Sequence, residues 1–103
     1  MSEPRAYDVR SIANYVLDER SRFSLETSHL SLQKLVYFAH GLFLVRFGRP
    51  LVDGYFEAWD HGPVHPFLYQ IFKSSGSEPI VDRCVEEDLL TGSKRTVAYP
   101  EDA

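Results

Sequence analysis

Apolar residues near the N-terminus recur with the period of one helix face. They stand at i, i+3, i+4, i+7 and i+8, which makes a single stripe along an α-helix: Val9, Ile12, Ala13, Val16 and Leu17. Asp8 precedes the stripe and can cap the free amides of the first turn. The pattern predicts a first helix that ends near Asp18–Arg20, followed by a polar connection through Ser28.

A longer apolar segment predicts a second helix over residues 30–47. Ser28 is a suitable N-cap, and Gly48 followed by Pro50 is a strong stop signal. Apolar residues cover most of the circumference of this helix, which is typical of the buried centre of a small fold: Leu32, Leu35, Val36, Ala39, Leu42, Phe43 and Phe47.

One strip of the second helix is polar. Gln33, Lys34, Tyr37 and His40 are close neighbours there. The strip is either a contact surface for a partner or the solvated edge of a buried helix, and the sequence favours neither. Gly41 interrupts the middle of the helix at a cost of roughly 1 kcal/mol relative to alanine, which suggests the close approach of another backbone.

After Pro50 the pattern changes to that of short strands and turns. Leu51-Val52 and residues 55–59 predict a β-hairpin with Asp53-Gly54 as its turn. Pro63 and Pro66 are both tolerated in the opening turn of a third helix. The third helix has its own apolar stripe and a polar stop: Phe67, Leu68, Ile71 and Phe72, then Ser74-Ser75-Gly76.

The last quarter of the chain predicts a second hairpin. Residues 80–85 and 96–99 can pair around Thr91-Gly92-Ser93. The predicted fold is therefore mainly α with minor β: three helices around a buried central helix, with one or two small hairpins. Because 13 of the 14 aromatic residues precede Lys73, we expect the core in residues 7–73 and an acidic tail in residues 78–103.

Length and charge limit the possible functions. A chain of 103 residues has room for one domain. Its net charge of −4, all of it in residues 78–103, argues against nucleic-acid binding. No apolar run is long enough to span a membrane, and no signal peptide is present. The single cysteine, Cys84, fits a reducing compartment, so we expect a cytoplasmic protein.

The most unusual segment is residues 59–66, which contains Trp59, Asp60, His61 and His65. Two histidines four residues apart, together with an aspartate, could ligate a metal. However, Gly62-Pro63 interrupts the helix that such spacing requires. The competing interpretation is a rigid turn, with Trp59 in the core and the histidines capping or exposed.

A nucleophilic pair of Cys84 with His61 or His65 is the other catalytic arrangement that the residue types allow. No pattern around the cysteine marks it as activated. The sequence contains no phosphate-binding loop and no nucleophile elbow. We therefore predict no catalytic residue, no metal and no cofactor.

Four blocks of the sequence, in order and register, resemble the Panacea domain of the SocA/GepA-like antitoxins, which is found on bacterial and phage mobile elements. The blocks lie at Tyr7–Leu17, Leu30–Gly41, Gly48–Leu51 and Phe56–Val64, with Pro66 and Tyr69 beyond them. The second contains Leu-Gln-Lys-Leu and the fourth Glu-Ala-Trp followed by Gly-Pro-Val. His29 and Ser31 replace the proline and lysine that are common in the family.

The resemblance implies an antitoxin that neutralises a cognate protein toxin by direct contact. In the SocA branch it also implies a proteolytic adaptor that delivers the toxin, SocB, to the ClpXP protease. Family domains continue with further helices where this chain stops at Ala103, so the resemblance implies a domain truncated at its C-terminus or completed by another chain.

We therefore predict a protein-binding domain rather than an enzyme. Polarity and position select the candidate contact residues: Lys34, Tyr37, His40, Trp59, Asp60, His61 and His65. The alternative is a small metal-dependent enzyme centred on the turn that carries His61 and His65.

Overall fold

The computed structural model describes residues 5–100 and contains three α-helices and two small antiparallel sheets. The elements follow in this order: α1 (Val9–Arg22), α2 (His29–Phe47), β1 (Glu57–Trp59), β2 (Gly62–Val64), α3 (Pro66–Phe72), a 3-10 turn (Lys73–Ser75), β3 (Val85–Glu87) and β4 (Lys94–Thr96). The prediction of a mainly α fold with minor β is confirmed. Within residues 5–100, no helix has the length and apolar character needed to cross a membrane.

Both long helices begin at the predicted caps. The side chain of Asp8 accepts a hydrogen bond of 2.9 Å from the amide of Arg10 at the start of α1. The hydroxyl of Ser28 accepts one of 3.2 Å from the amide of Ser31 at the start of α2. At the end of α2, Gly48 adopts a left-handed φ of +70°, as the stop signal predicted.

The prediction that α2 is buried along its length is wrong for its second half. The buried residues of α2 all lie in the first half: His29, Leu32, Gln33 and Val36. Further along, Phe38, Leu42 and Val45 are 66%, 58% and 87% exposed. Apolar residues around the whole circumference predict a helix that is covered on every side, but residues 5–100 cover only one side.

The first hairpin lies later in the chain than predicted. β1 pairs with β2 so that Trp59 faces Gly62, and the turn is Asp60-His61 rather than Asp53-Gly54. The predicted first strand instead forms a parallel bridge between Val52 and Tyr7. Asp53 is unavailable for a hairpin turn because its carboxylate accepts a 3.0 Å hydrogen bond from the amide of Val9, at the first turn of α1.

The third helix begins at Pro66, and only one of the two prolines belongs to it. Pro63 lies in β2, opposite Ala58, where a two-stranded sheet tolerates a residue without an amide hydrogen. Leu68 and Phe72 carry the buried side of α3, as predicted. The helix ends at Phe72, and the serines that were predicted to stop it form part of the 3-10 turn.

The second hairpin is confirmed in a shorter form and contributes to the core. Val85 pairs with Thr96, and the amide of Val97 donates to the carbonyl of Cys84 at 2.9 Å. Ile80, Cys84 and Val97 are buried in the main apolar cluster, so the core extends beyond the expected range of residues 7–73.

Asn14 fastens this hairpin to α1. Its side chain is fully buried, and its amide nitrogen donates to the carbonyls of Cys84 at 3.0 Å and Val97 at 2.9 Å. Its oxygen accepts from the amide of Cys84 at 2.8 Å. The side chain of Asn14 therefore forms hydrogen bonds with three backbone groups of the tail, and the carbonyl of Cys84 among them also accepts from the amide of Val97.

Replacing Asn14 with alanine should lower the free energy of unfolding by about 2 to 4 kcal/mol, because it leaves buried backbone groups without partners. Urea denaturation measures this loss, and hydrogen exchange should quicken at the Val97 amide. Gln70→Ala, at an exposed position of α3, is the control. A loss for Asn14→Ala below about 0.5 kcal/mol, the size of an ordinary surface effect, would contradict this role.

Candidate partner-binding site

A buried pair of residues joins α2 to the start of α3. The side-chain oxygen of Gln33 accepts a hydrogen bond of 2.8 Å from the amide of His65. The nitrogen of the same amide group donates to the carbonyl of His65 at 3.3 Å. Gln33 is 1% exposed, so it is not part of a solvated polar strip, and its side chain fixes the backbone that leads into α3.

The ring of His65 continues this connection toward α1. Its Nε2 lies 2.7 Å from the carbonyl oxygen of Asp53, and its Nδ1 accepts from the amide of Leu68 at 3.4 Å. A carbonyl only accepts, so Nε2 carries the proton and the ring is a neutral imidazole. His65 is 1% exposed and caps α3; it lies inside the fold, away from any contact surface.

A groove of about 640 Å³ opens beside the hairpin turn. The start of α2, the β1–β2 hairpin, α3 and the residues after it line the groove: His29, Leu30, Gln33, Trp59, Asp60, His61, Val64, Tyr69, Lys73, Gly76 and Ser77. Three of the predicted contact residues, Trp59, Asp60 and His61, therefore lie together on one wall and rim.

Trp59 forms the main aromatic wall of the groove. Its ring meets that of Tyr69 edge to face, with centroids 4.9 Å apart, and its indole nitrogen donates to Glu57 at 2.8 Å. The side chain is 41% exposed, so the interpretation that placed Trp59 in the core is wrong. An aromatic pair with a polar edge, open to solvent, is typical of a protein-recognition site.

The polar groups of the groove are arranged around its apolar walls. Asp60, His61 and Lys73 are exposed and carry the groups that ionise. His29 is buried behind Tyr69, with ring centroids 5.1 Å apart. Burial lowers the pKa of His29, so its ring stays neutral at neutral pH. The groove thus combines an uncharged interior with a charged rim, which fits an apolar side chain of a partner.

Tyr37 and His40 belong to a different cluster. Their rings lie 5.1 Å and 5.2 Å from that of Phe56, which in turn packs edge to face on His65 at 5.3 Å. Nδ1 of His40 accepts from the amide of Val52 at 3.3 Å. Burial lowers the pKa of His40. Tyr37 is 45% exposed, whereas His40 is mainly structural.

The remaining groove residues were not found from the sequence. Lys34, which was predicted, is exposed on α2 but does not line the groove. His29, Tyr69 and Lys73 were not selected. Tyr69 stands ten residues after Trp59, and its place beside the tryptophan depends on the hairpin turn at Asp60-His61, which the sequence analysis put elsewhere.

The catalytic alternatives find no support in the geometry of residues 5–100. No group of three histidine, cysteine or acidic side chains lies close enough there to hold a metal. The lone pair on Nδ1 of His65 faces a backbone amide. Burial raises the pKa of Cys84 to about 11, so its thiol is protonated at neutral pH and is not an activated nucleophile.

Alanine substitutions at two glycines, Gly54 and Gly48, test whether the position of His65 constrains the fold. Gly54 and Gly48 both have positive φ, +80° and +70°, so alanine costs about 1 to 2 kcal/mol of stability at either position. A Cβ at Gly54 would also lie 2.6 Å from Nε2 of His65, whereas a Cβ at Gly48 meets nothing within 4 Å.

Gly54→Ala should therefore destabilise the protein by about 1 to 3 kcal/mol more than Gly48→Ala, because the added methyl group displaces the imidazole. Urea denaturation of the two variants gives the difference. Equal losses would show that the contact between Gly54 and His65 does not constrain the fold.

Comparison with protein-family models matches residues 32–101 to a family described as Antitoxin SocA-like, Panacea domain. A curated protein named Antitoxin SocA, from Caulobacter vibrioides (strain NA1000 / CB15N), is 47% identical over 100 residues. The match covers 97% of this chain and 53% of that protein, so the chain spans about half the length of the curated relative. No solved structure matches significantly.

Proposed function

Because this chain belongs to the SocA-like antitoxin family of the Panacea domain, we propose that it is an antitoxin that binds and neutralises a cognate protein toxin. The observation that carries the proposal is the 47% identity to a protein named Antitoxin SocA over 97% of this chain. The groove beside Trp59 supports it, since a binding protein needs a surface on which a partner can bury an anchor.

Neutralisation in this proposal is masking by contact. An apolar or aromatic side chain of the toxin enters the groove and packs against Trp59 and Tyr69, whose rings together form one wall. Asp60, His61 and Lys73 form hydrogen bonds or ion pairs around the entrance, where they also exclude wrong partners. The apolar walls provide most of the affinity, and the rim provides specificity.

The proposal treats the protein as a binding module without a catalytic step. The protonated thiol of Cys84 and the fully engaged ring of His65 both favour binding over catalysis. The small metal-dependent enzyme centred on His61 and His65 would need the Nδ1 or Nε2 lone pair of His65, and both ring nitrogens already contact backbone groups.

The resemblance to the SocA branch extends the proposal to a second mode of neutralisation. In this mode the bound toxin is delivered to the ClpXP protease and degraded there, so neutralisation takes place in the cytoplasm. Masking and delivery share the same binding step, so both depend on the groove. They differ in the fate of the toxin, which remains in the complex in the first case and is degraded in the second.

Co-expression with the product of the neighbouring reading frame tests the proposal. The chain should restore growth and co-purify with that product. Trp59→Ala and Tyr69→Ala should each weaken the complex about 30-fold or more, the loss typical of removing an anchor. Phe23→Ala is the matched control, because Phe23 is 72% exposed and does not line the groove.

The fate of the toxin separates the two modes. A stable complex with rescue in cells that lack ClpXP supports masking, while rescue that requires ClpXP and removes the toxin supports delivery. A complex that forms with unchanged affinity in both Trp59→Ala and Tyr69→Ala would contradict the groove as the binding site. Absence of both rescue and binding would contradict the antitoxin function.

A further inference from the structure

The polarity of the groove interior depends on the ring of His29. His29 begins α2, lines the groove and is only 6% exposed. Its Nε2 lies 3.3 Å from the side-chain nitrogen of Gln33, and this is the one hydrogen bond that the ring forms within residues 5–100. What Nδ1 offers to a bound partner therefore depends on which of the two ring nitrogens carries the proton.

The backbone of His65 determines the position of this proton, through Gln33. The amide N–H of His65 donates, so the atom of Gln33 that faces it at 2.8 Å is the side-chain oxygen. The side-chain nitrogen of Gln33 then has its two protons for two acceptors, the carbonyl of His65 and Nε2 of His29, each at 3.3 Å. Because Nε2 accepts, the proton of the neutral His29 ring is on Nδ1.

The protonated Nδ1 of His29 is accessible from the groove. In the part of the chain that the structure describes, no fully enclosed side-chain nitrogen or oxygen lacks a hydrogen-bond partner. Nδ1 lacks one there, so it is not enclosed, and the small exposed part of His29 faces the groove that it lines. Burial also lowers the pKa of the ring, which keeps Nδ1–H an uncharged donor between apolar walls.

We propose that the groove selects a tyrosine side chain of its partner, and that Nδ1–H of His29 donates a hydrogen bond to the phenolic oxygen. The ring of this tyrosine packs against Trp59 and Tyr69, which form the aromatic wall. The inference rests on the proposed antitoxin function, because it specifies which kind of toxin side chain the groove binds.

The chemistry of the groove disfavours other anchors. A purely apolar side chain would displace water from Nδ1–H and leave a buried donor without a partner. A carboxylate would lose its hydration in an apolar groove, on a chain whose net charge is −4. Lysine and arginine have no acceptor for Nδ1–H, and the amide groups of asparagine and glutamine bring two further donors. A phenol combines one acceptor with an aromatic body that fits the wall.

The proton of the phenol also has acceptors at hand. The groove contains the hydroxyl of Tyr69, and the carboxylate of Asp60 is exposed on its rim. One of these groups, or a water molecule that bridges to it, accepts from the bound hydroxyl. The hydroxyl of Tyr69 is therefore a second polar group near the anchor, and its effect has to be measured separately from that of His29.

The nitrogen chemical shifts of the His29 ring test the position of the proton. Long-range proton–nitrogen correlation spectra distinguish a protonated ring nitrogen from an unprotonated one, and the signals that disappear in His29→Asn identify this ring. At neutral pH, Nδ1 should be protonated and Nε2 unprotonated. The reverse arrangement would overturn the proposal, because Nδ1 would then accept rather than donate.

Two small probes test the selectivity without the toxin. p-Cresol corresponds to the side chain of tyrosine and toluene to that of phenylalanine, so the two differ by one hydroxyl group. Titrations followed by the indole N–H signal of Trp59 should give a Kd of about 1 mM for p-cresol and a Kd at least about 10-fold higher for toluene. Equal affinities, or no binding of p-cresol at about 10 mM, would overturn the proposal.

Three variants test whether the preference comes from His29. In His29→Leu, which keeps apolar bulk without a donor, toluene and p-cresol should bind about equally. His29→Asn, whose side-chain N–H can replace Nδ1–H, should restore part of the preference. Tyr69→Phe is the matched control and should keep it. Because each comparison uses two probes on one variant, a general loss of stability does not mimic the result. A preference that survives in His29→Leu and disappears in Tyr69→Phe would overturn the proposal.

Binding of the toxin separates this inference from the antitoxin proposal. In the complex with the product of the neighbouring reading frame, His29→Leu should weaken binding about 10-fold. Unchanged binding in His29→Leu, together with binding that is lost in Trp59→Ala, would overturn the role of His29 and leave the antitoxin function intact. A chain that prefers p-cresol as expected but forms no complex would contradict the antitoxin function and support the selectivity of the groove.

Discussion

The hydrogen bonds of His65 connect the three helices and determine where the groove lies. Its backbone binds Gln33 of α2, its Nδ1 caps α3, and its Nε2 holds the loop at Asp53. The carboxylate of Asp53 in turn accepts from Val9 at the start of α1. A neutral imidazole satisfies buried donors and acceptors here without the cost of a buried charge. The β1–β2 hairpin ends directly before His65, so the hydrogen bonds of His65 also fix the position of the hairpin that carries Trp59.

Local signals predicted the helices well and the loops poorly. Asp8, Ser28 and Gly48 act within a few residues of themselves, so the starts of α1 and α2 and the end of α2 could be predicted from the sequence. Asp53-Gly54 has an equally clear local signal for a hairpin turn, but its real partners are Val9 and His65. A contact that spans tens of residues leaves no trace in the local pattern.

In the candidate site, too, local signals were found from the sequence and long-range contacts were missed. Trp59, Asp60 and His61 were found because they are consecutive and unusual in type. His29, Tyr69 and Lys73 come from other elements, and only the fold brings them to the groove.

The contribution of the tail to the core was underestimated for a related reason. Asn14 is an ordinary polar residue in the sequence, yet its side chain makes the three hydrogen bonds that position Cys84 and Val97. The apolar circumference of α2 predicted a helix covered on every side, but one side of its second half is open in residues 5–100.

α2 contributes to the groove and also carries an exposed apolar face. Its first turns supply His29 and Gln33 to the groove, whereas Phe38, Leu42 and Val45 in its second half are largely exposed. The groove has aromatic walls and a charged rim, which suits a specific partner.

The most direct test of the groove as the toxin-binding site is the NMR signal of the indole N–H of Trp59, the single tryptophan of the chain. Titration with the product of the neighbouring reading frame should shift or broaden this one resonance and saturate at a fixed stoichiometry. A stable complex that leaves the indole resonance unchanged would show that the toxin binds elsewhere, and would contradict the groove as the binding site.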